Sequence, residues 1–117
     1  MNREIKFRAW DIINKRILNY VDIMTLPMWE VFPGTPEQRP FEVMQYTRLK
    51  DKNGKEIYEG DIVKFENNYA MKVVYDIEEF SCFMVEDDER ILFMGRNASY
   101  EVIGNIYENP ELLEEIK

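Results

Sequence analysis

The chain has 117 residues, 45% of them hydrophobic and 14% aromatic, enough for one ordinary domain with a buried core and too apolar for disorder over most of its length. The net charge of −8 is unevenly placed: residues 1–66 carry eleven basic and eleven acidic side chains, residues 67–117 four and twelve. The acidic second half repels phosphate backbones, so nucleic acid is disfavoured as its partner.

In chain order, Ile5, Phe7 and Ala9 alternate with Lys6, Arg8 and Trp10, a period of two that predicts a strand with one buried face. After a turn at Ile12–Lys15, Arg16 to Val21 reads as the returning strand of a hairpin. Between Met24 and Pro40 lie four of the five prolines, Pro27, Pro33, Pro36 and Pro40. Proline removes backbone donors and forces extended or turn geometry, which predicts an irregular loop with at most one helical turn, pinning Met28, Trp29, Val31 and Phe32 to a neighbouring surface. Phe41–Tyr46 reads as a strand, the Lys52-Asn53-Gly54-Lys55 run as a turn, and Glu56-Ile57-Tyr58 as a brief extended step.

Further strands are predicted at Ile62–Glu66, Tyr69–Tyr75, Phe80–Val85, Ile91–Phe93 and Tyr100–Tyr107. Turn signals every ten to twelve residues give the pattern of a small barrel or sandwich. At the end, Asn109 suits a helix N-cap, Pro110 the first helical position and Glu111 the positive end of the dipole. A short C-terminal helix is expected to hold Leu112 and Leu113 against the strands.

The chemistry available is narrow. There is no histidine and one cysteine, Cys82, which removes the commonest general base, histidine-based nucleophile pairs and thiolate metal clusters. A lone cysteine also makes no internal disulfide. The five glycines are isolated, so neither a phosphate loop nor a dinucleotide fingerprint is present. Carboxylates remain. The run Glu86-Asp87-Asp88-Glu89 lacks the ligand spacing and central glycine of a calcium loop and reads as a solvated turn. Asp61, after Gly60, suits a residue that accepts backbone hydrogen bonds within a turn. These readings predict no catalytic residue, metal site or cofactor. No apolar run approaches the ~18 residues of a membrane span, and Met1–Lys6 lacks the apolar block of a signal peptide, so a soluble cytoplasmic protein is expected.

Two surfaces remain as candidates. Arg48, Lys50, Lys52 and Lys55 crowd one turn beside Tyr46 and Tyr58, an arrangement that can hold a phosphate backbone and stack on bases. Asp51, Glu56, Glu59 and Asp61 in the same stretch are expected to cancel much of that field. The second is the outer face of the first strand, with Arg3, Lys6, Arg8 and Trp10, next to the loop carrying Trp29 and Phe32. An indole on an outer strand face predicts cover, from the chain itself or from another subunit.

Three blocks resemble the signature of the YopX family, small proteins of bacteriophages and prophages: Arg3 to Asp11, Met44 to Val63, and Val102 to Leu112. One position departs. Arg48 stands between Thr47 and Leu49 where the family typically has glycine, which puts a positive-φ backbone there in doubt. The resemblance implies a C-terminal SH3-like barrel, an N-terminal segment preceding it and a tendency to homo-oligomerise; it brings no catalytic residues. The combined expectation is a mainly β protein, with an N-terminal hairpin and Pro-rich segment over residues 1–56. Residues 57–117 form the SH3-like barrel with its C-terminal helical turn. Its role is that of a non-enzymatic phage or prophage accessory protein working by contact with host or phage protein and with its own copies. The alternatives are a nucleic-acid-associated module and, third, a carboxylate-dependent hydrolase.

Overall fold

The computed structural model describes residues 6–26, 41–65, 70–76, 82–87, 90–95 and 99–113. It is mainly β, with nine strands among the described residues. The chain divides into two compact units, Met1–Tyr46 and Thr47–Lys117, so the division falls inside the strand that begins at Phe41, whereas the sequence reading started the second part at residue 57. The Pro-rich stretch over 27–40, with Trp29 and Phe32, lies outside the described residues, as do Arg3 and the Asn67-Asn68 turn.

In the first unit, β1 (Phe7–Asp11) and β2 (Arg16–Leu18) form the expected antiparallel hairpin, Ala9 opposite Leu18 and Asp11 opposite Arg16. Asp11 builds its turn. The carboxylate accepts the N–H groups of Ile13 and Asn14, both at 3.1 Å, and the Asn14 side-chain amide at 2.8 Å. Lys15 N–H closes onto the Asp11 carbonyl at 2.8 Å with Lys15 at φ 55°. The returning strand stops at Leu18, three residues earlier than expected. Asn19 accepts the Asp22 N–H at 2.9 Å while the Asp22 carboxylate accepts the Asn19 N–H at 3.3 Å. That reciprocal cap starts α1 (Tyr20–Met24) and takes Val21 into a helix despite its β-branched side chain.

β3 (Phe41–Lys50) is the longest strand. Its first half pairs with β1 from Phe7–Gln45 to Asp11–Phe41. Along it the buried phase switches. Met44 and Tyr46 are buried; then Thr47 is buried, Leu49 half-buried, and Arg48 and Lys50 exposed. The change falls between Tyr46 and Thr47, where the two units meet along the chain. One residue further on, Arg48 adopts φ 70°. The positive φ that the arginine put in doubt is present. Thr47 anchors the new phase, donating to the Ile57 carbonyl at 2.7 Å and accepting the Leu49 N–H at 3.1 Å.

In the second unit, the end of β3 lies beside β4 (Glu56–Tyr58). β5 (Asp61–Phe65), β6 (Ala70–Asp76), β7 (Cys82–Glu86), β8 (Ile91–Phe93) and β9 (Tyr100–Asn105) form one curled antiparallel sheet in the order β8-β7-β6-β5-β9. Five strands were expected here, and these are they. The β5–β9 register slips between Ile62, opposite Gly104, and Val63, opposite Val102, and such a slip bends a sheet. Ile57, Val63, Met71, Val73, Val85 and Tyr100 form the core, with Leu49, Met94 and Val102 against it. Each buried aliphatic side chain contributes roughly 1.5–3 kcal/mol.

The chain end corrects the expected cap. Pro110 does open a helix, but it is a short 3-10 turn over Pro110–Leu113, half-burying Leu112 and Leu113 and packing on β6. Asn109 points its side chain backward, accepting the Asn105 N–H at 3.2 Å. A Cβ on Gly104 would sit 2.6 Å from Asn109 Oδ1 and 2.9 Å from Leu112 Cδ1, so only glycine lets this turn lie against β9.

Left-handed backbone costs a side-chain-bearing residue about 1–2 kcal/mol, and glycine's extra freedom in the unfolded chain returns about 0.4–1 of that. Arg48→Gly is expected to stabilise the protein by about 0.5–1 kcal/mol, raising Tm by a few degrees in thermal unfolding. Arg48→Ala keeps the strain and gains nothing.

Candidate interaction surface

The β3–β4 turn presents the densest group of exposed basic residues among the described ones, and a buried acid fixes it. Asp51, only 7% exposed, accepts the N–H groups of Asn53 at 2.9 Å and Lys55 at 2.8 Å on one carboxylate oxygen. Val102 of β9 donates to the other at 3.0 Å. The backbone closes around it: Asp51 N–H donates to the Lys55 carbonyl at 2.7 Å, Gly54 N–H to the Asp51 carbonyl at 3.0 Å, and Lys52 N–H to the Tyr100 carbonyl at 2.9 Å. Gly54 takes the positive φ, 84°, that the turn requires.

Burial alone would raise the Asp51 carboxyl. The N–H groups of Val102, Lys55 and Asn53, helped by the Lys55 charge, outweigh that and hold it below the usual carboxylate range. Asp11 is also held low, first by the Asn14 side-chain hydrogen bond and then, against burial, by the Asn14 and Ile13 N–H groups.

Arg48, Lys50, Lys52 and Lys55 are all exposed, as the sequence reading required. The acids expected to cancel them are divided. Asp51 and Asp61 face inward, Asp61 at 1% exposure with its carboxylate accepting the Tyr58 N–H at 2.7 Å. Glu56 and Glu59 stay half-exposed, Glu56 accepting the Tyr58 hydroxyl at 3.2 Å. Lys52 pairs with Glu101 at 3.7 Å, both half in solvent, a contact of little energetic weight. The aromatic half of the expectation is overturned. Tyr46 and Tyr58 are buried, and the Lys6 ammonium lies 5.4 Å from the Tyr46 ring centre. Neither ring is available to stack on a base.

On β1, Arg8 and Trp10 are half-buried within the single chain, so the outer face of this strand is already partly covered. Trp29, Phe32 and Arg3, meant to complete that surface, fall outside the described residues. Cys82 is free and half-buried. No group of three metal-ligating side chains assembles among the described residues; Asp88 and Glu89 of the acidic run lie outside them.

One surface was missed. In β8, all three side chains are apolar and exposed: Ile91 by 52%, Leu92 by 38% and Phe93 by 58%. The signal is visible in the sequence as three consecutive apolar residues in a strand too short to be central. Reading it as an edge needs the strand order, which a sequence does not state.

Comparison with known proteins agrees with this architecture. The model of the family described as YopX protein matches residues 6–114. The crystal structure of protein EF1440 from Enterococcus faecalis is similar at 29% identity with a TM-score of 0.67, over 96% of this chain and 99% of that one. No curated protein matches.

The pH dependence follows from the two depressed carboxyls. Each adds stability that is complete above its unfolded value of about 3.9 and is lost as pH falls through the lower folded value. Asp51→Asn is expected to lose about 1–3 kcal/mol at neutral pH, because an amide N–H₂ must replace one acceptor oxygen against a backbone donor. Urea unfolding across the acid range should also show a shallower decline for the variant than for the parent.

Proposed function

The chain belongs to the YopX family, and from that premise we propose a non-enzymatic accessory protein of a bacteriophage or prophage. It acts in the host cytoplasm through protein–protein contacts, its own copies included. In this reading the curled five-stranded sheet is an SH3-like barrel, supported by its antiparallel order and the register slip that bends β5 against β9.

The observation that carries the reading is where polar and apolar groups have gone. The acids and amides of the central and C-terminal signature blocks are engaged by the protein's own backbone. Asp51 and Asp61 hold turns, and Asn105 accepts the Tyr107 and Glu108 N–H groups at 3.0 and 2.8 Å. A carboxylate saturated by N–H donors and held low is a weak base, which speaks against the carboxylate-dependent hydrolase. Large apolar side chains meanwhile stand in solvent: Ile13, Val21 and Met24 in the first unit, Ile91 and Phe93 in the second. Exposed apolar side chains of this kind favour contact with protein.

A second reading, a nucleic-acid-associated module, gains from one feature: Arg48, Lys50, Lys52 and Lys55 are all exposed within one short stretch. It loses the stacking rings.

Size-exclusion chromatography with light scattering is expected to give a particle of at least twice the chain mass; a monomer at every concentration would overturn self-association. In a filter-binding titration of single- and double-stranded DNA and RNA, retention is expected to be absent even at low salt. Salt-sensitive retention that Lys50→Glu and Lys52→Glu remove would establish the second reading instead.

A further inference from the structure

We propose that the Asn53-Gly54 pair is a site of spontaneous modification, the conversion of asparagine to aspartate and isoaspartate, and that the turn anchored by Asp51 controls its rate. The proposal concerns the chain's own chemistry and stands whatever the protein contacts.

Asn53 is the single asparagine of the chain that is followed by glycine. The reaction needs the backbone nitrogen of the next residue to reach the side-chain carbonyl carbon of the asparagine. A Cβ on that next residue hinders the approach, and glycine also has the backbone freedom to make it. Asn53 is exposed, and a Cβ built on Gly54 would meet nothing within 4 Å, so the turn is open to water on this side. The chemistry balances with solvent as the only co-reactant. The Gly54 nitrogen gives up its proton and bonds to Asn53 Cγ. The Cγ–Nδ2 bond breaks, and ammonia leaves with that proton as a five-membered succinimide closes. Water then adds to one of the two ring carbonyls. Opening on one side gives aspartate; opening on the other gives isoaspartate, whose main chain runs through the side-chain carbon.

The folded turn withholds the nucleophile. Gly54 N–H donates to the Asp51 carbonyl at 3.0 Å, and its backbone is set at φ 84°. On either side, the Asn53 and Lys55 N–H groups donate at 2.9 and 2.8 Å to one oxygen of the Asp51 carboxylate. The other oxygen accepts the Val102 N–H of β9 at 3.0 Å. For the Gly54 nitrogen to swing onto Asn53 Cγ, its own hydrogen bond has to break and the peptide planes beside it have to turn. Conversion therefore proceeds from the locally opened turn, at a rate set by how often that turn opens.

The product reverses the relation. Isoaspartate adds one main-chain carbon between the two N–H groups that share an Asp51 oxygen, so the converted chain does not regain both bonds in their present geometry. Either product also places a new carboxylate between Lys52 and Lys55 in the chain. The modification thus loosens the link from the β3–β4 turn to β9 that had delayed it.

The test incubates the full-length protein in mildly alkaline buffer, natively and in guanidinium chloride. Asn53 is followed by peptide mapping with mass spectrometry that separates aspartate from isoaspartate. Native protein is expected to convert about tenfold or more slowly than the denatured chain. Asp51→Ala is expected to convert faster than the parent under native conditions while keeping cooperative thermal unfolding. Should that variant fail to fold, hydrogen exchange of the Gly54 amide in the parent carries the test: across sub-denaturing guanidinium, exchange and conversion are expected to rise together. Native parent converting at the denatured rate, or a folded Asp51→Ala as slow as the parent, would overturn the proposal. So would conversion that stays constant while exchange rises, or another asparagine converting first in the denatured chain.

Discussion

A carboxylate removed from water has to find donors or give up its charge. Asp51 finds three, all backbone N–H groups, and one of them lies 51 residues away on β9. Charge-assisted hydrogen bonds of this kind contribute about 1.5–3 kcal/mol each, which is how the set overcomes the penalty of burial. The same side chain therefore shapes the tight turn after β3 and fastens it to the strand that closes the sheet. The Lys52 N–H to Tyr100 carbonyl bond repeats that link through the backbone. With the turn held from beneath, Lys50, Lys52 and Lys55 are left on its exposed side, Lys52 beside Glu101.

The same device recurs at other turns among the described residues. Asp61 caps the step from β4 to β5, where Gly60, at φ 88°, donates to the Val73 carbonyl and accepts the Ile106 N–H. Asn105 and Asn109 hold the exit from β9 between them, and Gly104 leaves room for the Asn109 side chain. The sequence marks Asp61 as a residue that accepts backbone hydrogen bonds in its turn, and it does so. In space the carboxylate and amide oxygens meet backbone N–H groups.

Strands were legible because alternation and β-branched runs are local: β1, β5, β6, β7 and β9 lie where period and composition put them. The departures have local causes as well. Asn19 and Asp22 form a reciprocal cap, a pattern four residues long that a β-branched run obscured. At Pro110 the proline did its expected work, but Asn109 was drawn back to Asn105 and left a 3-10 turn. What sequence could not supply is direction. Asp51 and Asp61 count as neutralising charges in a list of residues, and they point inward. Tyr46 and Tyr58 count as stacking rings, and they are buried. The exposed edge at β8 depends on strand order, a non-local property. Arg48 stands between these cases: the departure from glycine flagged the position, and the backbone there is left-handed all the same.

The β8 edge shows how a sheet can end on apolar side chains. An apolar edge strand invites indiscriminate pairing, and short length and nearby charge are the usual restraints. Here the strand has three residues, so a pairing strand finds few hydrogen bonds. Glu86 stands on the same face as Ile91, directly across the ladder, with Lys72 opposite it on the next strand. An apolar strand laid on that face has to cover charged groups whose hydration it cannot replace, a cost that its few hydrogen bonds do not offset.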